Sequence, residues 1–184
     1  MKIPRIAYAA FGFAIIVIVL DQLTKAWVMS GLDLREMGQI QIWSPLFNLT
    51  WVENRGVSFG LFGDGSGRWA LSAFSIGVAG ILGWWALKVD RRLLITAIGL
   101  IMGGAVGNVI DRIRFGFVVD FLDFSGPHFF LPGFLPGFLA NLKINFPWIF
   151  NVADSAICVG VILLILDSLR AEQEAKVGLA AEKS

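Results

Sequence analysis

Four apolar blocks in this 184-residue chain approach the roughly 20 residues that an α-helix needs to span a bilayer. No other feature narrows the possible folds as far. The blocks cover about residues 6–29, 69–87, 93–110 and 148–169. In lipid, backbone polar groups must be satisfied internally, which leaves helices and closed barrels, and blocks of this length predict helices. Composition agrees: 57% of residues are hydrophobic and 16% charged, against about 45–50% and about 25% in soluble domains. The first block follows Lys2 and Arg5 and imitates a signal peptide. It runs on into Asp21-Gln-Leu-Thr-Lys25 rather than a small-residue cleavage site, so a retained helix is expected.

Orientation follows from where the cations fall. Lys88, Arg91 and Arg92 crowd the short link between the second and third blocks. Lys2 and Arg5 precede the first, and Arg170, Lys176 and Lys183 follow the fourth. In a four-span chain all three regions share one side, which the positive-inside rule makes cytoplasmic. Both termini are then cytoplasmic, and segments of about 30–68 and 112–147 lie outside. The whole chain, 1–184, reads as a single integral membrane domain.

The outer segments carry structure of their own. Gln39–Trp43 and Phe47–Trp51 alternate polar and apolar residues around Ser44-Pro45, the pattern of a short hairpin. Phe115–Phe124 is β-branched and aromatic and predicts a strand. Residues 125–146 are rich in Phe, Pro and Gly; Pro132 and Pro136 rule out one regular helix, and the apolarity predicts a loop resting on the membrane, where it helps to seat a substrate. Leu-Pro-Gly-Phe occurs twice there, a local duplication rather than a repeat architecture. From Ala171 onward the Ala/Glu/Lys-rich tail predicts a frayed helix.

Acids at the rims of the apolar blocks point to chemistry. A charge near hydrocarbon costs roughly 2.5–3.5 kcal/mol on insertion scales, yet Asp21, Asp111, Asp120 and Asp154 all occur within or beside these blocks. Asp21, Thr24 and Lys25 share one helix face; Lys25 is either a snorkelling residue paired to Asp21 or a site residue. Asn108, Asp111 and Arg112 make a similar face at the end of the third block, after Gly99, Gly103 and Gly107, whose spacing lets helices approach closely. Arg112 has a guanidinium fork suited to an anionic group. Asn151, Asp154 and Ser155 open the fourth helix after Pro147 at a first-turn position; Asn151 is a cap or a site residue. Asp120 lies near the end of the predicted strand, and Asp123 beside it reads as an ordinary surface acid. Two carboxylates that share a site do not both ionise easily, and a pair with one proton between them can activate water and protonate a tetrahedral intermediate. Asn54, in Asn54-Arg-Gly-Val-Ser-Phe-Gly60, is a turn residue or a donor to substrate backbone. His128 and Cys158 read as structural.

Taken together, Asp21-Gln-Leu-Thr-Lys25, Asn54-Arg-Gly-Val-Ser-Phe59, Gly103-Gly-Ala-Val-Gly-Asn-Val-Ile-Asp-Arg112, Val118-Val-Asp-Phe121 and Phe150-Asn-Val-Ala-Asp-Ser155 resemble, in order, the motifs of the lipoprotein signal peptidase family, also called signal peptidase II. The resemblance spans nearly the whole chain apart from its ends. It implies a membrane α-helical fold of four transmembrane helices with a small extracytoplasmic β-cradle. The implied activity is that of an aspartyl endopeptidase, a hydrolase of the bacterial inner membrane. Such an enzyme removes signal peptides from prolipoproteins just before a diacylglyceryl-modified cysteine. The catalytic pair would be Asp120 and Asp154, supported by Asp21, Lys25, Asn54, Asn108, Asp111, Arg112 and Asn151, with no metal or other cofactor. The stretch between Asp120 and Asp154 is longer than is typical of the family, and Val57-Ser58 stands where small residues such as Ala are usual.

Other classes fare less well. One His and one Cys leave no His-rich metal site, disfavour a Ser-His-Asp triad and exclude an intramolecular disulfide. A net charge of +1 gives no nucleic-acid footprint. An ion- or proton-coupled transporter would place its acids near the midplane and show an inverted repeat; here the acids sit at one rim and the halves do not repeat. A lipid-binding scaffold gives no reason for both Asp120 and Asp154. The expected partners are lipid-modified prolipoproteins and membrane lipids, met by a monomer.

Overall fold

In chain order the helices are α1 (Ala7–Ala26), α2 (Leu34–Met37), α3 (Gly67–Ala86), α4 (Arg92–Arg114) and α5 (Val152–Glu182). The structure, a computed structural model, describes residues 4–44, 46–56, 67–124 and 149–182. A single π-helical turn, Trp27–Gly31, continues α1. With that turn, α1 is long and apolar enough to cross a membrane, and so are α3, α4 and α5. The fold is thus mostly helical, with a small antiparallel sheet. The chain divides into two compact units, Met1–Thr24 with Arg55–Val118 and Val152–Ser184, and Lys25–Asn54 with Val119–Asn151.

In the helical unit α4 is the inner element. Of its most apolar stretch 67% is buried, against 28%, 22% and 17% in the spans of α1, α3 and α5. Small residues decide this. A Cβ on Gly99 would lie 2.6 Å from the Ala10 carbonyl oxygen, and one on Gly103 2.7 Å from that of Ala14, so α1 and α4 meet backbone to backbone. Gly104 lies against the carbonyl of Ala153, and Gly160 would carry its Cβ 2.9 Å from that of Ala97, which seats α5 on the next face of α4. Ala10, Ala14, Ala79, Ala86, Leu94, Ile95, Ile98 and Met102 form the core cluster. Ile15, Ile16, Phe74, Ile81, Ile162 and Ile165 point outward and are exposed, as suits helices whose surroundings are hydrocarbon.

The other unit is built on a four-stranded sheet in the order β1-β2-β3-β4: β1 (Gln39–Trp43), β2 (Phe47–Asn54), β3 (Val118–Asp123) and β4 (Ile149–Phe150). The hairpin expected around Ser44 is present, with Gln39 opposite Thr50 and Trp43 opposite Phe47; β2 runs on to Asn54. Leu49 and Phe121 are buried. Phe124 stacks between Phe47 and Phe150, with ring centroids 4.8 Å and 5.4 Å away.

Three expectations need correction. The fourth span starts later than residue 148, because Ile149 and Phe150 pair with Asp123 and Leu122 and the helix begins at Val152. A β-ladder takes the residues whose apolarity alone suggested helix. Past residue 169, α5 also continues unbroken to Glu182, aided by the Glu172–Lys176 pair one turn apart (2.6 Å). Asp123 is no surface acid: it is 4% exposed and accepts a hydrogen bond from Thr50. Pro45, Val57-Ser58, the 125–146 stretch with its duplicated motif and His128, and Pro147 lie outside the described residues.

Candidate active site

The polar residues singled out by sequence gather into a cluster in each unit. In the helical unit the cluster forms where the end of α1, the second half of α4 and the start of α5 meet. Asp21, on α1, is fully buried. Its Oδ1 accepts from the backbone N–H of Ala153 at 3.0 Å. Ala153 is in the first turn of α5, where backbone N–H groups lack intrahelical partners. An acid from α1 therefore caps α5 across the helix interface, with a favourable helix-dipole term of about 0.3–1 kcal/mol. Gly107 makes room for it, since a Cβ there would lie 2.8 Å from Asp21 Oδ2.

Asn108 and Asp111 on α4 share a face but serve different neighbours. Asn108 donates from Nδ2 to Asp154 Oδ1 at 2.7 Å. Asp111, fully buried, accepts from Gln22 Nε2 at 2.9 Å. Arg112 reaches toward the loop that leaves β2; its Nη2 lies 4.0 Å from where a Cβ on Gly56 would be, and Gly56 holds φ +83° there, a conformation open to glycine without penalty. Asp154 is half-buried. It is the most accessible of the four rim acids, since Asp21, Asp111 and Asp120 are 2% exposed or less.

In the sheet unit Asp120, on β3, is held from two sides. Asn54, the last residue of β2, donates from Nδ2 to Asp120 Oδ2 at 3.0 Å. Asn151, just after β4, donates from Nδ2 to Oδ1 at 2.7 Å. Each carboxylate oxygen thus has its own amide donor, which fixes the carboxylate plane. Neither the turn reading of Asn54 nor the capping reading of Asn151 accounts for these side chains. Thr50 and Gln39 extend the polar face, with Gln39 Nε2 donating to Thr50 Oγ1 at 2.9 Å.

Two further readings are decided. Lys25 does not snorkel: it is 2% exposed. Thr24 turns its hydroxyl onto its own helix, donating to the carbonyls of Leu20 and Asp21 at 2.8 Å and 2.9 Å, so it belongs to α1 rather than to the cluster. Sequence reasoning missed Gln22, which joins Asp21 and Asp111. The only signal was a polar residue next to Asp21 inside an apolar block. It also missed Asp167, buried in α5 and paired with Arg91 at 2.8 Å.

Comparison with known proteins gives a consistent result. Residues 13–170 match the family described as signal peptidase (SPase) II. The lipoprotein signal peptidase of Caulobacter vibrioides is 42% identical over 175 residues, 94% of each chain. That of Rhizorhabdus wittichii is 44% identical over 163 residues, 86% of this chain and 84% of the relative. A solved structure described as a bacterial membrane enzyme, determined by the in meso method at 2.3 Å, is similar with a TM-score of 0.70. It is 27% identical, and 95% of each chain is covered.

Proposed function

The chain belongs to the signal peptidase II family, and on that premise we propose that Asp120 and Asp154 are its catalytic pair. As a member of that family it is an aspartic-type peptidase embedded in a membrane, and it removes signal peptides from prolipoproteins. Nothing in its relatives favours a transporter.

In the proposed mechanism the two carboxyls share one proton. The ionised one takes a proton from a water molecule, whose oxygen bonds to the scissile carbonyl carbon. The protonated one gives its proton to the carbonyl oxygen, so a tetrahedral diol forms without net charge. Collapse breaks the C–N bond; one carboxyl protonates the leaving amine and the other recovers the proton from the diol oxygen. The leaving amine is that of the diacylglyceryl-modified cysteine. Asn54 and Asn151 hold Asp120, and Asn108 holds Asp154, so both acids are oriented before substrate arrives. Asp21, Lys25, Asp111 and Arg112 support this arrangement. The observation that carries the reading is the doubly anchored Asp120: Asn151, one of its anchors, lies in the chain three residues before Asp154.

The proposal extends to setting. The protein works as a monomeric, single-domain enzyme of the bacterial inner membrane with both termini cytoplasmic. Its active site opens to the extracytoplasmic face, where the substrate's acyl chains share the bilayer. The test is to incubate the purified protein in lipid with a diacylglyceryl-modified prolipoprotein and weigh the products. A mature fragment starting at the modified cysteine is expected; intact substrate, or a cut elsewhere, would overturn it.

A further inference from the structure

Gln22 stands at a junction that the reaction scheme leaves unused. Its Nε2 lies 2.9 Å from Asp111 Oδ1, 3.1 Å from Asp21 Oδ2 and 3.3 Å from the Gly107 carbonyl oxygen. Its Oε1 accepts from Arg114 Nη1 at 3.1 Å. An amide nitrogen carries two hydrogens. The two carboxylate contacts are the shorter ones, so each hydrogen serves one acid, and the Gly107 carbonyl takes at most a bifurcated share. One neutral side chain thereby ties together two fully buried carboxylates, one on α1 and one on α4. A third acid could not do the same: a carboxylate at this place has no hydrogen to give and adds like charge.

The consequence runs to α5. Asp21, held by Gln22 on Oδ2, uses Oδ1 to cap the Ala153 N–H. Ala153 directly precedes Asp154, and Gly104 and Gly107 of α4 lie against Ala153 as well. The position of Asp21 thus bears on where the first turn of α5 begins, and so on the position of the Asp154 carboxyl. We propose that Gln22 is a positioning residue for the peptidase reaction, acting through Asp21 and the first turn of α5 to place Asp154. The inference rests on Asp154 being catalytic. The Gln22 amide is engaged by Asp21, Asp111 and Arg114, so its removal should affect the chemical step and leave substrate capture alone.

The test compares steady-state cleavage of a lipidated prolipoprotein peptide by wild type, Gln22→Glu, Gln22→Met, Asp111→Asn and the Gln22→Glu/Asp111→Asn double variant, all in the same detergent-lipid mixture. Gln22→Glu is expected to lower kcat at least tenfold with KM within twofold. Gln22→Met, which keeps the length without the added charge and guards against a variant that fails to fold, should show the same split with a smaller loss. In the Asp111→Asn background an amide again faces a carboxylate, so Gln22→Glu should cost several-fold less there than in wild type. A merely structural role would lower the amount of folded protein and leave kcat per folded enzyme unchanged. Wild-type kcat in Gln22→Met, a loss confined to KM, or equal losses in both backgrounds would overturn the proposal. A wild-type enzyme that cuts while Asp154→Asn cuts equally well would instead overturn the catalytic assignment on which it rests.

Discussion

Asp120 and Asp154 are each held by neighbouring amides, and the need for both acids can be measured. Asp120 has an amide donor on each oxygen, whereas Asp154 receives Asn108 on Oδ1. Asparagine at either position removes the acid, so each substitution should lower cleavage on the order of 10²–10⁴-fold. The measurement is product released per folded enzyme in one lipid mixture, and near-normal turnover in either variant would sink the pairing of the two acids. A second expectation concerns cofactors. With one His and one Cys in the chain, ligands for a zinc site are scarce, so cleavage should survive exhaustive chelation; loss with chelator and recovery with added zinc would refute the water activation assigned to the acids. The acids themselves were legible in the sequence because a carboxylate beside hydrocarbon is costly and needs a reason. Their partners were less so. Asn54 and Asn151 each fit an ordinary turn or cap, and only the placement of β2 and β4 on either side of β3 brings both amides to one carboxylate. Gln22 was invisible because its partners lie 85 and 89 positions away.

Among the elements, α4 makes the sharpest claims. Its glycines at 99, 103 and 107 were read as packing residues from spacing alone, and each meets α1: Ala10, Ala14 and Asp21 in turn. Gly103→Ala would push a Cβ to 2.7 Å from both the Ala14 carbonyl oxygen and Val17 Cβ. Neither atom can swing away, so the helices must separate, at a cost of about 1–3 kcal/mol. Gly77 in α3 offers the control. It is exposed and has nothing within 4 Å of a new Cβ, so Gly77→Ala should be neutral or stabilising by up to ~1 kcal/mol through helix propensity. Thermal unfolding of the two variants in one detergent tests the pair, and a Gly103→Ala protein as stable as Gly77→Ala would contradict the close α1–α4 approach. Apolar length found all four long helices and the starts of α1, α3 and α4 to within two residues, and alternation located the hairpin. The misplaced start of α5 shows where such reading stops: Ile149 and Phe150 are as apolar as the helix that follows, and pairing with β3, a long-range interaction, decides their conformation.

For the molecule as a whole, the path across the bilayer is fixed by counting spans between marked points. Gln41 on β1 and Asp90 in the link between α3 and α4 are both exposed, and one span, α3, separates them in the chain. Between Asp90 and Lys176 come α4 and the first part of α5, whose apolar run ends at about residue 169, two spans. An odd number of crossings puts two residues on opposite sides and an even number on the same side, whatever the tilt of any helix. The cations Lys88, Arg91 and Arg92 flank Asp90, and the positive-inside rule then assigns its side to the cytoplasm. The experiment starts by replacing Cys158 with Ala, because this exposed thiol is the chain's one native cysteine. Single cysteines are then introduced as Gln41→Cys, Asp90→Cys and Lys176→Cys in cells and labelled with a membrane-impermeant maleimide. Gln41→Cys should label in intact spheroplasts; Asp90→Cys and Lys176→Cys should label only after the membrane is opened. If Gln41→Cys and Asp90→Cys reacted from the same side, α3 would not cross and the four-span assignment would fail. If the two sides were separated but reversed, the spans would stand and the cytoplasmic placement of the termini would fall. The substrate geometry would fall with it, since a lipidated cysteine presented outside could not be cut by an enzyme whose sheet faced inward.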